Sequence, residues 1–261
     1  MRSLNEILNQ PIEVNTDLVL DLISYIDLTT LSDTDTDQSV LQLVDKANRG
    51  FNGVHPAAIC TYSKFGNLVR KKLNSSMRTV VVGIGFPSGV TPSQEKIQHA
   101  IEIAASGAEE LDIVLNHSDF FHLSYEQITK EISGVKSALQ NKHLKVILET
   151  GELGSNENIK TASEIACKGG TDFIKTSTGK TSTGAKPAAV YEMCLVIAEY
   201  YKQTGRKVGI KPSGGIRTFE DAASLHLIVK ETLGKDWLNP SLFRIGASSL
   251  YDHLIEKFNQ L

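Results

Sequence analysis

The stretch Cys167-Lys168-Gly169-Gly170-Thr171-Asp172-Phe173-Ile174-Lys175-Thr176-Ser177-Thr178-Gly179-Lys180 decides how this chain folds. A helix-compatible segment stops at two glycines, and a short acidic turn follows. An apolar run then ends on a lysine, with hydroxyls and a glycine directly behind it. A short apolar run of this kind reads as a buried strand, and the Gly/Ser/Thr segment as the loop that leaves it. The same order recurs in Ala105-Ser106-Gly107-Ala108-Glu109-Glu110-Leu111-Asp112-Ile113-Val114. Working outward, the apolar strand candidates are Ile23–Asp27, Val54–Cys60, Thr79–Gly85, Glu110–Leu115, Lys145–Glu149, Asp172–Lys175, Lys207–Lys211 and Leu242–Gly246, with amphipathic patterns between them. Shared among 261 residues, each of these units has about 33, enough for a βα step. Alternation of this kind predicts an α/β fold with a parallel sheet. Eight units predict closure into a (β/α)8 TIM barrel, one domain over residues 1–261. The competing architecture is a doubly wound open sheet, but no G-x-G-x-x-G follows the first strand.

The clearest helix is Thr91–Ser106. Thr91 reads as its N-cap, Pro92 as its first residue and Gln94 as the partner in a capping box. Ile97, Ala100, Ile101, Ala104 and Ala105 then share one face, and Gly107 ends it. Residues from Ser3 to Asp21 are expected to form one or two extra helices covering the barrel bottom.

Composition narrows the function classes. With 41% hydrophobic and 22% charged residues the chain fits a soluble globular protein. A net charge of −3 gives no broad basic footprint, so neither nucleic acid nor a membrane surface is an expected partner. The longest apolar stretch, near Thr79–Phe86, is far short of a membrane span. Met1-Arg2-Ser3-Leu4-Asn5-Glu6 has no apolar signal region. Cys60, Cys167 and Cys194 are odd in number and widely spaced, which argues against a disulfide framework or zinc knuckle and for a cytoplasmic location.

A barrel gathers its active site where the strands' C-terminal ends meet. Read in order, those ends are Asp27, Cys60, Phe86, Asp112, Glu149, Lys175, Lys211 and Gly246-Ala247-Ser248-Ser249. Lys175 and Lys211 each close an apolar run. Burial disfavours the charged form of an amine, a second lysine nearby acts in the same direction, and a neutral amine can attack a carbonyl to form an imine. The blander reading is a set of buried ion pairs holding the barrel mouth together. For Asp27 or Glu149 taken singly the two readings are evenly matched.

Phosphate chemistry is the second signal. Thr178-Gly179-Lys180, Ser213-Gly214-Gly215 and Gly246-Ala247-Ser248-Ser249 follow the last three strands, where barrels bind phosphate through backbone N–H groups and a helix N-terminus. Simple N-capping of the last helix would need only one of Ser248 and Ser249. Gly179-Lys180-Thr181 imitates a Walker A loop, but position 174, where that motif needs a glycine, is Ile174. The histidines are scattered, and His117 and His122 lack a ligand spacing, so no metal or other cofactor is expected. His55 is expected to pack near the start of its strand, and Cys60 to be a buried structural thiol.

The segments Ile26-Asp27-Leu28-Thr29-Thr30-Leu31, Ala58-Ile59-Cys60, Ala108–Val114, Ile147-Leu148-Glu149-Thr150-Gly151, Asp172–Lys180, Lys211–Gly215 and Phe243–Leu250 resemble the deoxyribose-phosphate aldolases, class I aldolases, in the family's order and at similar spacing. The two lysine-bearing segments and Gly-Ala-Ser-Ser are the most specific. The resemblance implies a (β/α)8 barrel that reversibly cleaves 2-deoxy-D-ribose 5-phosphate to acetaldehyde and D-glyceraldehyde 3-phosphate. By the matching segments Lys175 would form the Schiff base, Asp112 would donate and accept protons, and Lys211 would be its partner. Asp27, Thr178 and Lys180 would support substrate hydroxyl or phosphate binding, and Gly179, Gly214, Gly215, Gly246, Ser248 and Ser249 would hold the phosphate. The implied partners are thus sugar phosphates and aldehydes, and a homodimer is compatible. Some members carry a terminal tyrosine that assists proton transfer. The last tyrosine here is Tyr251, within the expected final helix, so that role is not carried over. An imine aldolase for another sugar phosphate, and a non-catalytic sugar-phosphate binder of the same fold, remain as alternatives.

Overall fold

Each of the eight apolar runs contributes a strand in the computed structural model, which describes residues 2–122 and 124–261. Two short helices come first. Helix α1 (Leu4–Leu8) starts at a reciprocal Ser3–Glu6 capping box, and α2 (Thr16–Ser24) is capped by the Asn15 side chain. Then follow β1 (Ile26–Thr29), α3 (Asp37–Arg49), β2 (Ala58–Tyr62), α4 (Gly66–Lys72), β3 (Arg78–Val82) and α5 (Ser93–Ala105). The middle of the chain forms β4 (Glu110–Val114), α6 (His117–Phe121), α7 (Tyr125–Ala138), β5 (His143–Ile147), α8 (Thr150–Leu153) and α9 (Asn156–Lys168). The last part forms β6 (Phe173–Lys175), α10 (Pro187–Thr204), β7 (Gly209–Lys211), α11 (Phe219–Leu233), β8 (Ile245–Ala247) and α12 (Leu250–Phe258).

All paired strands are parallel, in the order β7-β6-β5-β4-β3-β2-β1-β8. The ring closes between β7 and β8. The Ile210 N–H donates to the Leu242 carbonyl at 2.8 Å, and the Gly246 N–H to that of Pro212 at 2.8 Å. The fold is therefore the (β/α)8 barrel. Its main core lies between strands and helices, where Ile59, Val81, Leu111, Val146, Ile174 and Ile210 are fully buried. The opposite faces of the strands fill the barrel interior, and there the sequence places charge.

Three details differ from the sequence reading. First, β1 and β2 start later than the apolar runs do. Ile23 and Ser24 still belong to α2, and the strands run on to Thr29 and Tyr62, so Asp27 and Cys60 sit inside them rather than at the ends. Second, α5 has Pro92 at its N-cap with no side-chain cap, and no capping box forms. The Thr91 side chain packs over Gly85 instead. Third, the buried face of α5 is Lys96, Ala100 and Ile103, while Ile101 is 49% exposed. Lys96 takes a core position because Glu131 on α7 accepts from it at 2.7 Å and from Ser93 at 2.6 Å; that partner is too distant in sequence for periodicity to reveal. The two N-terminal helices form as expected, α1 packing on α10 and α11 and α2 on α11 and α12. No helix among the described residues is long and apolar enough to cross a membrane.

Candidate active site

The strand register brings the titratable groups together. Side chains at i and i+2 share a strand face, so Glu110 and Asp112 both point into the barrel from β4. Lys145 on β5 is level with Asp112, and Lys175 on β6 is level with Lys211 on β7. Lys175 Nζ donates to Asp112 Oδ2 at 2.8 Å, and Lys211 Nζ donates to the same oxygen at 2.8 Å. Lys145 approaches Asp112 Oδ1 at 3.3 Å as an ion pair without hydrogen-bond geometry, while hydrogen-bonding to Glu110. Lys211 also contacts Asp27 Oδ2 at 2.5 Å. Arg244, just before β8, bridges Asp27 at 2.6 Å and Glu110 at 2.9 Å.

Three carboxylates (Asp27, Glu110, Asp112) thus face four cations (Lys145, Lys175, Lys211, Arg244), all of them buried. Charges removed from water persist only when paired. Burial alone would push the Asp112 carboxyl upward, but Lys145, Lys175 and Lys211 overcome it and hold the group far below the usual carboxylate range. Burial would push Lys211 downward, but Asp112 and Asp27 overcome it and hold that amine charged. Asp27 is likewise kept low against burial by Lys211 and Arg244.

Above the cluster, at the strands' C-terminal ends, lies a cavity of about 390 Å³. Lys175 lines it, with Thr178, Gly179, Lys180, Gly214, Gly215, Gly246, Ser248 and Ser249. Asp112 and Lys211 lie beneath, 0% exposed, and Lys175 is the lysine of the pair that reaches the cavity, at 2% exposed. Gly214 has φ +86°, a left-handed backbone that glycine adopts without strain. A Cβ on Gly246 would stand 2.7 Å from that of Ser213 and 3.3 Å from Lys211 Cε, so only glycine lets β8 approach β7 here. Ser249 occupies the N-cap of α12, yet its side chain makes no capping bond, and both serines are exposed at the cavity. The capping explanation for this pair therefore fails.

Of the residues singled out in the sequence, Asp27 alone among the expected substrate-binding groups does not face the cavity. Its carboxylate is occupied by Lys211 and Arg244, which makes it part of the charge cluster. Cys60 is buried, and burial pushes its thiol up. His55 bonds the Ala47 carbonyl at 3.0 Å, ahead of β2. His117 and His122 each contact a main-chain carbonyl, Leu148 O and Ser118 O. Among the described residues no group of three His, Cys, Asp or Glu side chains is placed to hold a metal. Tyr251 is buried in α12 and does not line the cavity. Sequence reasoning missed Lys145, Glu110 and Arg244 as cluster members, and Thr29, Thr30 and Arg217 in the cavity wall. A lysine inside an apolar strand was the available signal for Lys145. Nothing local marks Arg244, whose partners come from β1 and β4.

Residues 22–250 match the model of the DeoC/LacD family aldolases. The chain belongs to that family. A Caenorhabditis elegans relative is 41% identical over 255 residues, 93% of this chain and 82% of the relative. The mouse deoxyribose-phosphate aldolase is 38% identical over 247 residues, 89% of this chain and 78% of that protein. Among solved structures, a tetrameric deoxyribose phosphate aldolase from Aeropyrum pernix superposes with a TM-score of 0.70 at 28% identity, covering 98% of this chain and 96% of that one. The barrel and the aldolase class of this DeoC/LacD member follow from these likenesses.

Proposed function

We propose that this DeoC/LacD family member reversibly cleaves 2-deoxy-D-ribose 5-phosphate to acetaldehyde and D-glyceraldehyde 3-phosphate through a Schiff base on Lys175, a step of deoxynucleoside breakdown. The observation that carries the reading is that Lys175 faces the cavity while Lys211 stays beneath it, paired with Asp112 and Asp27. Among the described residues Lys175 is also the cluster cation with a single carboxylate partner, Asp112, where Lys145, Lys211 and Arg244 each have two. It attacks the open-chain aldehyde at C1, and loss of water leaves a cationic imine.

The cation draws electrons from the C2–C3 bond. That bond breaks as the C3 hydroxyl gives up its proton, D-glyceraldehyde 3-phosphate departs, and an enamine remains. At that stage the nitrogen of Lys175 is neutral, so one of the three cations holding Asp112 ionised is lost. Its proton affinity rises just when the C3 proton needs an acceptor, reached directly or through a water. Protonation of the enamine at C2 restores the cation and returns Asp112 to its ionised form. Hydrolysis then frees acetaldehyde. Lys211 remains charged throughout and fixes Asp112 Oδ2. The phosphate, bound at Gly179, Gly214, Gly215, Gly246, Ser248 and Ser249 with Lys180 beside it, anchors the far end of the sugar. Binding energy there serves the reacting end.

Acetaldehyde with sodium borohydride tests the assignment. The expected result is a stable added mass on the peptide carrying Lys175; modification mapped to Lys211 reverses it. Because the imine acts as electron sink, activity is expected to survive exhaustive EDTA treatment, and a strong loss restored by zinc would contradict the mechanism. Ser248→Glu places a carboxylate against the bound phosphate. Apparent affinity for the phosphorylated sugar should fall about tenfold or more, with much less effect on unphosphorylated deoxyribose. Equal losses on both would point to a folding defect.

A further inference from the structure

We propose that Glu149 is a positioning residue for the phosphate subsite and sets the preference for phosphorylated over unphosphorylated sugar, an inference that rests on the function proposed above. Glu149 follows β5 with φ +48° and ψ +63°. A non-glycine residue held in this left-handed region is strained, and such strain persists only where surrounding contacts over-determine it. Main-chain bonds of Leu148, Thr150 and Glu152 supply part of this, and the carboxylate, buried with the residue 2% exposed, supplies the rest.

All three of its side-chain hydrogen bonds come from one loop. Its Oε2 accepts from the Thr178 N–H at 3.1 Å and from the Thr178 hydroxyl, and its Oε1 lies 3.2 Å from the Thr181 hydroxyl, whose one proton is shared with the Thr183 carbonyl at 3.2 Å. No cation pairs with it among the described residues. A buried carboxylate without a cation is costly unless its donors are well placed. Here the donors belong to the segment that presents Gly179 and Lys180 to the cavity.

The influence reaches further along that loop. The Thr178 hydroxyl accepts from the Lys180 N–H at 3.1 Å, which fixes the backbone of Lys180. Past Thr181 the chain runs against the second glycine loop, where the Ala185 N–H donates to the Gly214 carbonyl at 2.9 Å. A Cβ on Gly184 would fall 2.0 Å from that carbonyl oxygen, so the two loops are in direct backbone contact. Glu149 itself does not line the cavity. One carboxylate outside the site therefore holds the Thr178–Thr181 part of the loop after β6, which meets the loop after β7 both at Ala185 and through the Thr176 and Ser177 contacts of Ser213.

The test compares Glu149→Gln, Glu149→Gly and Thr181→Val on 2-deoxyribose 5-phosphate, on 2-deoxyribose and in binding of inorganic phosphate. Gln keeps the shape but loses the charge and one acceptor. Gly keeps the left-handed backbone and loses the side chain. Val removes the hydroxyl shared by Glu149 and the Thr183 carbonyl and leaves Glu149 intact, so it carries the test if neither Glu149 variant folds. The expected result is a rise in KM for the phosphorylated sugar of about tenfold in the Glu149 variants and about threefold in Thr181→Val. Inorganic phosphate binding should weaken in parallel, with kcat/KM on 2-deoxyribose nearly unchanged. Equal losses on both sugars, or wild-type phosphate affinity in Glu149→Gly, would overturn the proposal. A wild-type chain that binds inorganic phosphate but neither cleaves the sugar phosphate nor traps acetaldehyde would sink the aldolase reading instead. In that case the phosphate-binding comparison still decides the role of Glu149.

Discussion

Lys175→Met is expected to abolish borohydride trapping of acetaldehyde and to lower turnover by about four orders of magnitude or more, the scale of removing a covalent nucleophile. It should do so in a well-folded protein. With a neutral residue at position 175, the three carboxylates of the barrel interior face three cations, and no charge is left unpaired. Lys211→Met makes the opposite case. It removes the shared partner of Asp27 and Asp112, and breaking a buried ion pair from one side typically costs about 3–5 kcal/mol. Thermal unfolding of the two variants side by side, together with trapping, checks the pair of expectations. A Lys175→Met protein as destabilised as Lys211→Met would make Lys175 a structural cation. Residual trapping in Lys175→Met would move the nucleophile elsewhere.

The contrast shows which parts of the site the sequence discloses. Lys175, Lys211 and Asp112 each interrupt an apolar strand, and a barrel forces interior strand positions into one space, so periodicity plus closure suffices to bring them together. The glycine loops are legible for a similar reason, because they follow the last three strands directly. Arg244 is different. It sits between Phe243 and Ile245 just ahead of β8, and nothing nearby in sequence marks its partners Asp27 and Glu110. For Asp27 and Glu149, whose two readings are evenly weighed in sequence, the contacts lie outside any local pattern. Asp27 is held by Lys211 and Arg244, and Glu149 by two threonines of one loop. The same limit explains α5. Helical periodicity assigns Ile101 to the buried face, but Lys96 takes a buried place because Glu131 is available on the facing helix.

Asp112→Asn preserves shape and removes the base, and turnover is expected to fall about 10²–10⁴-fold while the barrel stays folded. The pH dependence gives the second readout. The folded-state carboxyl of Asp112 is held far below its unfolded value by Lys145, Lys175 and Lys211. Its contribution to stability is therefore present above an unfolded pKa of about 4 and is lost as pH falls toward the depressed folded value. Asparagine does not titrate. The stability gap between wild type and Asp112→Asn should be widest near neutral pH and should close as the pH drops below about 4. Lys211 has the opposite sign. Its folded-state amine is raised, so its contribution is present below an unfolded value of about 10 and is lost as pH rises through the folded value. Without Asp112, Lys211 keeps only Asp27 as a carboxylate partner, so its contribution should be smaller and its alkaline loss complete at lower pH than in the wild type. Unfolding temperatures measured across both limbs separate these effects. An acid limb identical in wild type and Asp112→Asn would mean that Asp112 is not held ionised by the cluster. Near-normal turnover in the variant would leave it a structural role only.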